Sequence, residues 1–285
     1  SDASGTGLRQ EHAVDAELTW ANLMARTHEA PDGFSSTKPA QAHFTTSVDV
    51  GNHIAKLVLA RCEAAASRHG IEQPWIVDVG AGSGRLLAQL IALGFPADRL
   101  IGVDVRPAPD LPVHWIQGVA PACVPPVQGL LFAHEFLDDV PVDVVAEGQV
   151  VDHRGTPIGP AHPDDLAWLQ QWAGSDSGVV GRRRDEAWRT LVSRVAEGEA
   201  IAVDYTTTEP VGHWRGRRAV AAPGADISAG VDLRSCRAAT GGRIVPQHRM
   251  LAGVTAQHLG ETAELAVLRD RSGLGAFGWL ITDRP

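Results

Sequence analysis

The strongest constraint on this chain is one short stretch, Trp75-Ile76-Val77-Asp78-Val79-Gly80-Ala81-Gly82-Ser83-Gly84, where an apolar run meets three glycines at alternate positions. Trp75 to Val79 is β-branched and aromatic, as expected of a parallel strand buried on both faces. Leu86, Leu87, Leu90 and Ile91 then recur at helical spacing, and Gly94 supplies a stop. A strand that turns directly into a helix leaves unpaired N–H groups at the helix start. Glycines in such a turn let a ligand approach the main chain. The stretch predicts a small anionic ligand at the carboxyl end of a central strand.

Spacing narrows the ligand. The dinucleotide fingerprint G-x-G-x-x-G requires glycine where Arg85 stands. Read as D-x-G-x-G-x-G, every position fits, and that run resembles the pattern of S-adenosylmethionine (SAM) methyltransferases. Asp78, Gly80, Gly82 and Gly84 are therefore predicted cofactor residues. A predicted second strand, Leu100 to Asp104, ends in a carboxylate suited to the ribose hydroxyls. That acid is common to NAD and SAM sites and does not choose between them.

Further apolar runs at Val113–Gln117, Gly129–Ala133 and Ala200–Val203, separated by helical or loop segments, give the rhythm of an α/β protein. Before them, a helix is predicted over Val14–Ala25, a loop over Pro31–Ser36, and a helix from an N-cap at Ser47 to Gly70. The connection 142–198 is too long for one crossover and reads as an insertion of hairpin and helices on the active face. Within it Arg182-Arg183-Arg184, beside Asp185 and Glu186, reads as a solvated helix face. Thr206 to Asp232 is a second irregular stretch, and Gly273–Ile281 reads as a turn feeding a last strand. Residues 1–47 form an N-terminal arm and helix; 48–285 form the main domain.

Composition removes other classes. A formal net charge of −9 disfavours a nucleic-acid partner. No apolar run approaches the roughly 18 residues that suggest a membrane span, and no leader is evident, so a cytoplasmic protein is expected. Three cysteines without a C-x-x-C pair, and twelve histidines without H-x-x-x-H spacing, suggest neither a disulfide framework nor a metal site.

An ordered set of short segments is similar to the MidA-like SAM-dependent methyltransferases, relatives of the mitochondrial arginine methyltransferase needed for complex I assembly. The set runs from Thr19-Trp20 and Pro31-Asp32-Gly33-Phe34 through His43-Phe44-Thr45-Thr46-Ser47 and the glycine run. It continues with Glu135-Phe136-Leu137-Asp138, Asp204-Tyr205, Asp226-Ile227-Ser228 and Gly273-Leu274-Gly275. The resemblance implies a class I (Rossmann-like) fold with a seven-stranded, mostly parallel sheet whose last strand is antiparallel. It implies SAM at the glycine loop, Thr46 and Ser47 closing over it, Gln117 beside the nucleoside, and Glu135 and Asp138 facing the transferred methyl; His134, just before that pair, is a candidate catalytic base for a hydroxyl or carboxylate acceptor. The chain departs from the family in having His134 where asparagine is usual, Gln117-Gly118 where an acidic pair is common, and a shortened segment after Tyr205.

Three functions stay open at this point. The chain methylates a protein or peptide side chain, arginine among them; or it methylates a small molecule or natural product at O or N; or it binds SAM without turnover as an assembly factor. A homodimer is compatible with each.

Overall fold

The computed structural model describes residues 19–29, 46–206, 212–215, 218–219 and 226–285. The readings at Val14–Leu18, Pro31–Ser36 and His43–Thr45 lie outside the described residues. The first helix, α1 (Trp20–His28), is capped by Thr19, whose hydroxyl accepts the Asn22 N–H. The predicted long helix starts later than Ser47. Residues Ser47–Asp49 make a 3-10 turn, Gly51 takes φ +66°, and α2 begins at His53 and runs to His69. A left-handed Gly70 ends it, as read.

From there the parallel core builds. It comprises β1 (Trp75–Val79), α3 (Arg85–Ala92), β2 (Leu100–Asp104), β3 (His114–Gln117) and β4 (Val127–His134). The insertion follows as β5 (Val144–Ala146), β6 (Gln149–Val151), β7 (Pro157–Pro160), α4 (Pro163–Trp172), β8 (Gly178–Val179) and α5 (Arg182–Arg194). Its strands form a four-stranded antiparallel sheet in the order β7-β6-β5-β8. The chain re-enters the core as β9 (Val195–Asp204). It then forms a small sheet of β10 (Gly212–Arg215), β11 (Arg218–Ala219) and β12 (Asp226–Ser228). The remaining elements are α6 (Leu233–Thr240), β13 (Arg243–Pro246), α7 (Gln247–Met250), α8 (Leu259–Arg269) and β14 (Gly278–Arg284).

The main sheet has seven strands in the order β13-β14-β9-β4-β1-β2-β3, parallel except that β14 runs antiparallel to both its neighbours. Strand alternation divides the core into two. Ile76, Leu130, Phe132, Ile201 and Val203 pack with Ile54, Val58, Leu87 and Leu90 of α2 and α3. Val77, Leu131, Ala133, Ala200 and Ala202 pack with Trp188, Leu191 and Val192 of α5. With β1 and β4 central and covered on both sides, their carboxyl ends open where the strand order reverses, the position at which such sheets bind ligands. The α1 helix docks beside this opening through Trp20 and Met24 against Val142, Ile227 and Ala229. Among the described residues no helix is long and apolar enough to cross a membrane.

Candidate cofactor and acceptor site

A cavity of about 1340 Å³ opens over the carboxyl ends of β1, β2 and β4. One wall is the glycine loop. The N–H groups of Gly80 and Ala81 both donate to Val103 O, at 2.9 and 3.2 Å, which hinges the turn on β2. Gly82 and Gly84 take φ of +58° and +76°, a region closed to most side chains. A Cβ on Gly84 would lie 2.9 Å from Leu111, so this glycine is required by packing; Gly82 borders the open cavity.

Asp104 crosses from β2 to meet the loop. Its Oδ2 accepts the Gly82 N–H at 2.7 Å and its Oδ1 accepts the Arg106 N–H at 2.9 Å. Burial raises its pKa, and the backbone donors and Arg106 oppose that rise. Asp78, only 4% exposed, is pushed up to about 7 by burial and, next, by the Asp104 charge. Its folded pKa lies above the unfolded one, so its stabilising contribution is complete below about pH 4 and is lost as pH rises through 7. The ligand-free protein should therefore lose thermal stability between about pH 4 and 7, levelling off above 7, and Asp78→Asn should flatten that slope. Parallel melting curves of the two proteins check this; equal slopes would contradict it.

The segment before α2 forms the opposite wall. Thr46 and Asp49 close a reciprocal cap, Thr46 N and Oγ1 donating to Asp49 Oδ2 at 3.1 and 3.0 Å. Gln89 of α3 donates to the carbonyls of Val48 and Gly51, at 3.1 and 2.9 Å. Thr46, Val48 and Asp49 thus line the cavity. Ser47 does not. The tight turn aims its side chain inward, where its fully buried hydroxyl accepts a hydrogen bond from Gln247 Nε2 at 3.0 Å. Gln117 also lies off the cavity, its amide donating to Val105 O at 3.0 Å, while Gly118 and Val119 form the wall there. Of the predicted cofactor residues, Thr46, Asp78, Gly80, Gly82 and Asp104 share the cavity; Ser47, Gly84 and Gln117 do not line it.

The third wall is the turn after β4. Glu135 has φ +49°, a strained value for a glutamate, and its N–H donates to Val203 O at 2.8 Å. The turn is 3-10-like, with the Asp139 and Val140 N–H groups donating to Phe136 and Leu137 carbonyls at 3.3 Å. Asp204 at the end of β9 holds it. Its Oδ2 accepts the Leu137 and Asp138 N–H groups at 3.1 and 3.2 Å, and its Oδ1 accepts the Tyr205 N–H at 3.0 Å. This brings His134, Glu135, Asp138 and Asp139 to the cavity together. His134 Nε2 lies 3.5 Å from Glu135 Oε1, and burial drives the imidazole pKa down to about 4, so the ring is neutral at pH 7. Glu29 of the α1 end and Glu186 of α5 extend the acidic lining; Arg183 also lines the cavity, as do Arg85 and Arg106. From α1, His28 reaches Ile227 O at 2.7 Å and approaches Asp139 Oδ2 at 3.4 Å.

Asp139 belongs to the polar run after β4 that the strand-end position itself marks as crevice-lining. Sequence reasoning did not find Glu29 or His28 as site residues. It read Asp204 only as part of a matching segment. It also misread Arg184, which is 2% exposed and not on a solvated face, whereas Arg182 and Arg183 keep 41% and 60% of their side chains exposed.

The residues present fit SAM. A loop of left-handed glycines lets the ligand lie against the backbone, Asp104 offers a carboxylate to two hydroxyls, and the cavity exceeds the usual span of small-molecule sites, about 300–1,000 Å³. No protein-family model matches the chain, and no curated protein does. Among solved structures, the chain is similar to a COG1565 superfamily member from Burkholderia thailandensis bound to S-adenosyl-homocysteine (SAH). The TM-score is 0.71 and the identity 21%, over 99% of this chain and 95% of that one. The native form of an uncharacterised COG1565 superfamily protein from the same organism gives a TM-score of 0.70, again at 21% identity over 99% and 95% of the two chains. This chain therefore has the class I, Rossmann-like SAM-dependent methyltransferase fold, in the arrangement seen in those proteins.

Proposed function

We propose that the chain is an enzyme that transfers a methyl group from SAM to a protein or peptide side chain, with arginine the acceptor its site suits best. The supporting observation is the shared cavity, in which the glycine loop and the carboxylate-bearing turn Glu135–Asp139 face one space. SAM supplies an electrophilic methyl on a sulfonium. The protein's task is to align the acceptor, exclude water and receive a proton, and alignment alone supplies about 7–11 kcal/mol in well-oriented systems. A guanidinium arrives cationic and fully protonated. Glu135 and Asp138 offer oxygens that hold its fork and draw charge from the attacking nitrogen, and a carboxylate then takes the proton as the N–C bond forms. The further acids Glu29, Asp139 and Glu186 favour a cationic acceptor over an anionic one. Incubation with methyl-labelled SAM and a lysate of the source organism tests this. Label in protein that hydrolyses to methylated arginine supports it; no labelled product from a protein that binds SAM points to a non-catalytic binding role.

A second reading, a small-molecule O- or N-methyltransferase, is favoured by His134. Its Nε2 is buried with no hydrogen-bond partner among the described residues, and the ring is held neutral beside Glu135. A neutral imidazole is a suitable base for a hydroxyl. Label confined to small molecules supports this reading. On the arginine reading, His134→Asn should change the methyl-transfer rate by less than about threefold; on the second it should remove about 10²-fold or more.

A further inference from the structure

Beneath the acceptor end of the cavity lies a cation that takes no part in the chemistry described so far. Arg184 is in the first turn of α5, three, four and seven residues before Ala187, Trp188 and Leu191, on the stripe that this helix buries. Its Nη2 donates to Asp138 O at 2.9 Å and its Nη1 to Gly230 O at 2.8 Å. Those carbonyls belong to two different walls of the cavity: the turn that carries Glu135 and Asp138, and the segment Ala229–Gly230 that follows β12. The Ala229 N–H also reaches Asp138 O, at 3.3 Å, and the Val231 N–H reaches Tyr205 O at 2.9 Å. The guanidinium therefore joins segments that no strand pairing joins.

Two carboxyls, a phenol and a thiol face it. Asp204 and Tyr205 come from the end of β9, Asp138 from the turn, and Cys236 from α6; Glu135 in turn bears on Asp204. Burial and the neighbouring Asp138 drive the Asp204 pKa upward, and Arg184 opposes them. Asp204 nevertheless accepts three backbone N–H groups, a pattern that suits a carboxylate.

We propose that Arg184 is a positioning residue for methyl transfer: by donating to both carbonyls, it staples the Asp138 turn to the Gly230 segment and so fixes the acceptor wall of the cavity. This rests on the reading of Glu135 and Asp138 as the groups that hold the acceptor.

Arg184→Lys keeps the charge and loses the fork. In it the acceptor KM should rise about tenfold while SAH affinity stays within about threefold of wild type, a split that a general loss of stability would not produce. Amide exchange at Ala229, whose N–H bonds to Asp138 O, should quicken about tenfold. Arg184→Met should show both effects at least as strongly, and Arg184→Lys is the variant to read if Arg184→Met does not fold. An unchanged KM in a folded Arg184→Lys protein overturns the proposal. If the wild type transfers no methyl, the methyltransferase reading fails and amide exchange at Ala229 still decides the staple. If transfer proceeds and Arg184→Lys alters neither KM nor exchange, only the Arg184 inference fails.

Discussion

Glu135→Gln is expected to lower methyl transfer by about 10³-fold while SAH affinity stays within about threefold of wild type. Glutamine keeps the length and shape of the side chain at φ +49°, and the backbone N–H still bonds to Val203 O, so the turn should stand. What is lost is an anionic oxygen beside the acceptor nitrogen, replaced in part by a donor that faces a guanidinium already rich in donors. A loss confined to turnover is the mark of an interaction made in the transition state. Single-turnover rates with labelled SAM, set beside calorimetric SAH titrations, separate the two effects. Equal loss of binding and turnover would make Glu135 a cofactor contact and remove its catalytic role.

Gly82→Val is expected to weaken SAH binding at least 100-fold, about 2.7 kcal/mol, and to lower the stability of the ligand-free fold by roughly 1–2 kcal/mol. Two physical effects combine. At φ +58° a β-branched residue sits in the left-handed region, strained by roughly 1–2 kcal/mol. Its Cβ would then lie 3.4 Å from Arg106 Nη1, and valine adds two further methyls at a position that borders the cavity. Gly82→Ala shares the strain and lacks the two methyls, so it should bind between wild type and Gly82→Val. Calorimetry on the three proteins gives the order. Wild-type affinity in Gly82→Val would mean that the ligand does not approach this loop.

What the sequence made legible was local. The run Trp75–Gly84 announces itself through residues adjacent in the chain, and β1, α3 and β2 appear where that run and its paired acid predict. Errors arose where distant partners decide. Asp204 shapes the turn after β4 by accepting N–H groups from residues 66 and 67 positions earlier, which no spacing rule reveals. Ser47 looks like an N-cap because polar and hydroxyl residues precede an apolar-periodic run, but Gly51 breaks the helix and Gln247, 200 residues away, claims the hydroxyl. Arg184 was hidden by its neighbours. Three arginines beside two acids suggest a solvated face, yet only the third shares the helical phase of Ala187, Trp188 and Leu191. That phase was in the sequence, and applying it residue by residue would have marked Arg184 as inward-facing.

On the methyltransferase reading the cavity takes SAM and not a dinucleotide, because Arg85 stands where the dinucleotide fingerprint needs glycine and the alternate glycines shape a turn without a pyrophosphate cradle. Paired calorimetric titrations of the wild-type protein with SAH and with NAD test it most directly. Saturable one-site binding of SAH is expected, weakened at least 100-fold in Gly82→Val, with no heat from NAD beyond dilution. Saturable NAD binding with no response to SAH would contradict it.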